Sequence, residues 1–148
     1  MNVPHFFQSN EQHCGAACLR MILAGLGHSI EESLIAQQCR TTALGCTVQD
    51  LVTGAQALGF NADLLSTSGQ PQAVQALSNL VPFIAMIDLA ELSAGPMFQW
   101  HFVVPLFLRS DQVTFHDPAD GPDRSTKLDD FLAAWATAGY RGVRVWIP

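Results

Sequence analysis

Between Cys14 and Leu26 the chain reads Cys-Gly-Ala-Ala-Cys-Leu-Arg-Met-Ile-Leu-Ala-Gly-Leu, with Arg20 as its single charge. A helix that is apolar nearly all round has no face to offer to water, so it must be packed against protein on most sides. This segment is therefore expected to be the central helix of the fold. Neither it nor the run from Val81 to Ile87 approaches the ~20 apolar residues that a membrane span needs. The rest of the chain is large enough to surround it: 148 residues, 49% of them hydrophobic and 14% charged, bury roughly two thirds of the unfolded surface on folding. A single domain over residues 1–148 is expected rather than two independent cores.

Seven basic against thirteen acidic side chains give a net charge of -6. The counterion-release term that drives most nucleic-acid binding is missing from such a chain, so DNA, RNA and anionic membrane are set aside as partners. The first residues, Met1-Asn2-Val3-Pro4-His5, have neither a basic n-region nor an apolar h-region, which makes the cytoplasm the expected location. The four cysteines, Cys14, Cys18, Cys39 and Cys46, are then expected as reduced thiols. Cys39 and Cys46 lack Cys-x-x-Cys spacing and a histidine at finger-like distance, so neither a metal nor a cofactor is expected.

Helical signals fill the first half. Ser29 followed by Glu32 reads as a capping box, with Ile30, Leu34 and Ile35 as the buried stripe of a short helix stopping near Cys39. Thr47 caps a third helix, in which Val48, Leu51, Val52, Ala55 and Leu58 keep helical spacing and Gly59 ends the run. After Phe60, short apolar runs bounded by turn residues predict strands at 60–65, 81–89, 101–108, 113–117 and 142–147. Two helices interrupt them, a weak one from Pro71 to Leu77 and a stronger one carrying Leu128, Phe131, Leu132 and Trp135. Pro105 cannot donate to a ladder, so its strand is expected to be an edge or to bulge there.

Cys14 opens the apolar helix, where unpaired backbone N–H groups and the positive end of the helix dipole favour a thiolate. A thiolate nucleophile needs a base, and the base an orienting group. His101 begins the apolar strand Trp-His-Phe-Val-Val, and Asp117 follows 16 residues later in Phe-His-Asp-Pro-Ala-Asp-Gly. That spacing suits two adjacent strands bringing both to one end of a sheet. Taken singly, each has an ordinary reading as a small core hydrophobe, a satisfied core histidine and an Asp-Pro turn starter.

Together these residues resemble the peptidase family C39, the double-glycine leader peptidases of the papain-like superfamily. The resemblance rests on Gln8, six residues before Cys14, on Cys-Gly-Ala-Ala-Cys-Leu-Arg-Met-Ile-Leu at 14–23, on His101-Phe-Val-Val and on Asp117-Pro-Ala-Asp-Gly. Ala57-Leu58-Gly59-Phe60 and Leu128 to Trp135 add weaker support, so it covers nearly the whole chain. It implies an α+β, papain-like fold with the Cys14 helix packed on a mostly antiparallel sheet.

The resemblance also implies roles: Cys14 as nucleophile, His101 as base and then acid, Asp117 as the orienting group, and Gln8 as oxyanion donor beside the Cys14 N–H, with Gln12 as the alternative donor. The implied substrate is a peptide whose leader ends in Gly-Gly or Gly-Ala, with an amphipathic helix docking on an apolar surface. The implied partner is an ABC transporter, fused or separate. His13 departs from the family pattern, where an acidic residue commonly precedes the cysteine. No Gly-x-x-x-x-Gly-Lys-Ser/Thr phosphate loop is present in the chain. Two alternatives stand beside leader cleavage: acyl or peptidyl transfer to another amine, and a docking module of an export system, which the retained nucleophile disfavours.

Overall fold

The computed structural model describes residues 1–92 and 99–148. In chain order the elements are α1 (Cys14–Gly25), α2 (Glu32–Gln38), α3 (Val48–Ala57), β1 (Asn61–Ser66), α4 (Gln70–Asn79), β2 (Ile84–Asp88), β3 (Trp100–Arg109), β4 (Gln112–Asp117), β5 (Gly121–Lys127), α5 (Leu128–Thr137) and β6 (Arg141–Trp146). The strands form one sheet in the order β1-β6-β2-β3-β4-β5, every neighbouring pair antiparallel. The class is α+β, as expected.

Successive strand residues face opposite sides of a sheet, and the core divides on that alternation. Ile84, Phe102, Val104 and Val143 join the buried residues of α1, α2 and α3. Phe83, Ala85, Ile87 and Val103 join those of α4 and α5. Two helical layers therefore share one sheet. On the first side α1 buries Gly15 to Leu19 and Met21 to Leu23, packed between β3 and α2. Its one charge is covered too, the Arg20 guanidinium lying 4.1 Å from the centre of the Phe6 ring. On the second side the fully buried Trp135 stacks on Phe83 at 5.4 Å between ring centres. Its indole N–H donates to the Arg141 carbonyl at 2.9 Å, the partner a buried indole requires.

The local signals hold where their partners are local. Thr47 caps α3: its hydroxyl accepts from Asp50 N–H at 3.1 Å while the Asp50 carboxylate accepts from Thr47 N–H at 2.9 Å. The turn after α3 places Gly59 at φ +95°, a left-handed conformation that glycine adopts without a Cβ clash. Pro105 lies in β3, an interior strand, and the register with β4 shifts between Pro105 and Phe107. Of the two expected outcomes, the bulge is the one realised.

Three expectations are corrected. Ser29 does not cap α2, which begins after Glu31 and has no side-chain cap; Glu32 turns inward instead, 7% exposed. Leu34 leaves the expected buried stripe and is 43% exposed, because so short a helix covers only one narrow face, taken by Ile35 and Ala36. A sixth strand, β5, was not expected. Its sequence Gly-Pro-Asp-Arg-Ser-Thr-Lys has no apolar alternation, being an edge strand whose side chains mostly face water, and proline and charge are characteristic of such edges.

Candidate active site

Cys14 is the first residue of α1, and His13 precedes it as the N-cap residue. The sulfur is thereby held where the first-turn N–H groups lack helical partners. His101 lies near the start of β3 and Asp117 at the end of β4. These strands are antiparallel neighbours, with Val104 opposite His116, so both residues sit at the same end of the sheet. His101 Nε2 donates to Asp117 Oδ1 at 2.7 Å, and both side chains are buried. The same ring is the group that draws the Cys14 thiol down most strongly. With Nε2 engaged by the carboxylate, Nδ1 is the nitrogen left for the sulfur.

Electrostatics couple the three groups. Burial alone pushes the Cys14 thiol up, but the hydrogen bond and charge of His101, joined by the backbone amides of Phe102 and Gly15, outweigh it and hold the thiol below its ordinary value. Burial pulls His101 down, and the hydrogen bonds to Asp117 and Cys14 reverse this, raising it to about 9. Asp117 is raised by burial and lowered, on balance, by His101 and by the amides of Ala119 and Asp120. Both shifts act in the direction that favours a thiolate–imidazolium pair. The other thiols move the opposite way: burial raises Cys18 well above its ordinary value and takes Cys39 and Cys46 to about 12. No disulfide joins the four cysteines.

The segment before Cys14 is stitched to the Asp117 corner. His5 Nε2 donates to the Asp117 carbonyl at 2.7 Å, and Gln8 N–H donates to the Pro118 carbonyl at 2.8 Å. Gln8 Nε2 donates to the Asn10 carbonyl at 2.8 Å, while its Oε1 is buried with no hydrogen-bond partner among the described residues. Gln12, unlike Gln8, is on the wall of a cavity of about 660 Å³ that also contains Cys14, Met86, Trp100 and Phe102. His13 points to Glu32, its Nδ1 3.3 Å from Oε2. The contributions of His5 and of the Phe102 amide carry no sequence signal, since each depends on backbone brought close by the fold.

Among the described residues no helix is long and apolar enough to cross a membrane, and no group of three or more His, Cys, Asp or Glu is arranged to hold a metal ion.

Several known proteins are similar to this chain in sequence or in fold. The Colicin V secretion/processing ATP-binding protein CvaB of Escherichia coli is 28% identical over 122 residues, covering 80% of this chain and 15% of that protein. The Lactococcin-G-processing and transport ATP-binding protein LagD of Lactococcus lactis subsp. lactis is 27% identical over 129 residues, covering 87% of this chain and 17% of that protein. The chain thus spans less than a fifth of these relatives. Among solved structures, the peptidase domain of Streptococcus ComA, a bi-functional ABC transporter, superposes with a TM-score of 0.82 at 17% identity, covering 99% of this chain and 100% of that one. A double glycine motif protease from an AMS/PCAT transporter, solved with its leader peptide, gives 0.78 at 20% identity, covering 97% of this chain and 91% of that one. At these identities the structural likeness establishes the fold, and the family follows from sequence. The model of the Peptidase C39 family matches residues 2–140, nearly the whole chain, which therefore belongs to that family of cysteine peptidases.

Proposed function

We propose that this chain is a thiol endopeptidase that cuts peptides after a double-glycine leader, with residues 1–148 acting as one peptidase domain. The observation that carries the reading is the buried pair in which Asp117 holds Nε2 of His101 at 2.7 Å, beside a thiol at the start of α1 that His101 draws below its ordinary value. Cys14 thiolate attacks the carbonyl carbon of the second glycine. His101, already an imidazolium, gives its proton to the departing amine and then takes one from the water that hydrolyses the thioester. Asp117 keeps the ring oriented and its Nε2–H donated.

The oxyanion formed during attack is received by the Cys14 backbone N–H and by one N–H of the Gln8 side-chain amide, whose other N–H is held by the Asn10 carbonyl. Removing one such donor typically costs ~10²–10³ in kcat. Beside Cys14 the cavity walls include Met86, Trp100 and Phe102. Such bulk favours residues without side chains at the scissile bond, in keeping with the Gly-Gly requirement. The likeness to secretion/processing ATP-binding proteins supports an ABC exporter, fused or separate, as partner.

The test is incubation of the protein with a peptide carrying an amphipathic leader that ends in Gly-Gly, followed by mass spectrometry. Cleavage after the second glycine, absent in Cys14→Ala, is the expected result. Undiminished cleavage by Cys14→Ala overturns the assignment, and transfer of the acyl group to an added amine in preference to water redirects it to a transferase.

A further inference from the structure

Glu32 is a buried carboxylate whose partners all lie in the segment leading to the nucleophile. Its two oxygens share the Ser9 N–H at 3.2 and 3.3 Å, and Oε2 accepts from His13 Nδ1 at 3.3 Å. Ser9 Oγ lies 3.3 Å from that same nitrogen. Ser9 follows Gln8, and His13 precedes Cys14. A carboxylate 7% exposed is costly to bury without partners, so the loop and the carboxylate fix one another.

Within the loop Asn10 is the hub. Its carbonyl takes the Gln8 amide at 2.8 Å and the His13 N–H at 3.2 Å, and its side chain takes the Gln12 N–H at 3.0 Å. Turning this loop as a body changes where the second N–H of Gln8 points. Glu32 anchors it to α2 on one side, and the Gln8 N–H to Pro118 bond anchors it to the Asp117 corner on the other. The groups that shift the Cys14 thiol downward are His101 and the Phe102 and Gly15 amides, with no contribution from Glu32.

We infer that Glu32 is a positioning residue of the peptidase: through Ser9 and His13 it sets the attitude of the 8–13 loop, and so the aim of the Gln8 amide at the developing oxyanion, without acting on the thiolate. This rests on the leader-peptidase reading above. A displaced donor loses its stabilisation steeply, a misplacement of about 1 Å costing up to ~10² in rate.

Three measurements on the full chain test it: kcat and KM on the Gly-Gly leader peptide, the iodoacetamide alkylation rate of Cys14, and hydrogen exchange at the Ser9 amide. Glu32→Ala is expected to lower kcat about ten- to a hundredfold, leave KM and alkylation within about twofold, and speed Ser9 exchange. Alkylation needs the thiolate and not the oxyanion site, so it separates aim from activation. Glu32→Gln is expected to recover most of kcat, because its carbonyl still accepts from the Ser9 N–H and its amide keeps a polar partner beside His13 Nδ1. Unchanged kcat in Glu32→Ala, a parallel loss of kcat and alkylation in both variants, or unaltered Ser9 exchange overturns the inference. Absence of cleavage by the wild-type chain overturns the leader-peptidase reading instead, and Ser9 exchange still decides whether Glu32 holds the loop.

Discussion

Asp117 Oδ1 accepts from His101 Nε2 at 2.7 Å and, at the same time, from the amides of Ala119 at 2.8 Å and Asp120 at 3.3 Å. One oxygen therefore fixes both a ring and a turn, and the charge it carries is part of what raises His101.

Asp117→Asn keeps an acceptor for the ring N–H and removes the charge, so it is expected to retain more activity than Asp117→Ala. Its alkaline limit is expected to fall below the value of about 9 that His101 has in the native site, since the carboxylate favours the imidazolium. A kcat/KM profile against pH measures this, and an unmoved alkaline limb contradicts it.

The lowered Cys14 thiol and raised His101 define the window in which the ion pair exists. Activity is expected to persist below the ordinary thiol value of 9.0 and to be lost above about 9, when the imidazolium gives up its proton. The stability terms have matching signs. The His101 contribution is fully present below its unfolded value of 6.5 and is lost as pH rises through about 9. The Asp117 contribution is present above its unfolded 3.8 and is lost as pH falls through its lowered folded value. Alkylation followed by peptide mapping checks the pair directly: near neutral pH Cys14 is expected to react far faster than Cys18, Cys39 and Cys46, whose thiols are all raised. His101→Ala is expected to abolish that advantage and to cut kcat by on the order of 10³ or more.

Gln8→Ala is expected to lower kcat by ~10²–10³ while Cys14 alkylation stays within about twofold, because the thiolate depends on His101 and not on the oxyanion donor. Gln12→Ala, on the cavity wall, is expected to act on KM more than on kcat. The reverse pattern in steady-state kinetics assigns the oxyanion donor to Gln12.

Gly15 sits where a Cβ would meet Cys46 Sγ at 2.7 Å, Phe102 Cδ2 at 3.2 Å and Leu51 Cδ2 at 3.3 Å. Gly15→Ala gains about 1 kcal/mol in helix propensity, against the ~1–3 kcal/mol that overpacking a core costs. The net expectation is a Tm lowered by a few degrees, and a variant melting above the wild type contradicts the close approach of α1 to β3.

Much of this molecule is written in local patterns. The nearly uncharged run at 14–26 dictates a buried helix, since no other environment satisfies a helix apolar on every face. Thr47 and Asp50 announce the start of α3 because a cap and its partner are three residues apart. Cys14, His101 and Asp117 were legible as candidates from residue type and from their places at element ends.

What the tertiary structure decided involves partners distant in sequence. Ser29 and Glu32 have the spacing of a cap, yet the carboxylate bonds Ser9 and His13, because packing α2 against α1 brings the 8–13 loop within its reach. β5 has no apolar alternation to reveal it and exists because β4 offers its open edge. Pro105 allowed an edge or a bulge, and only the pairing of β3 with neighbours on both sides selected the bulge. The candidate side chains were fixed by the chain itself; the 2.7 Å contact between His101 and Asp117, and the bond from the Gln8 N–H to the Pro118 carbonyl, follow from strand register and loop anchoring, which depend on every element packed around them.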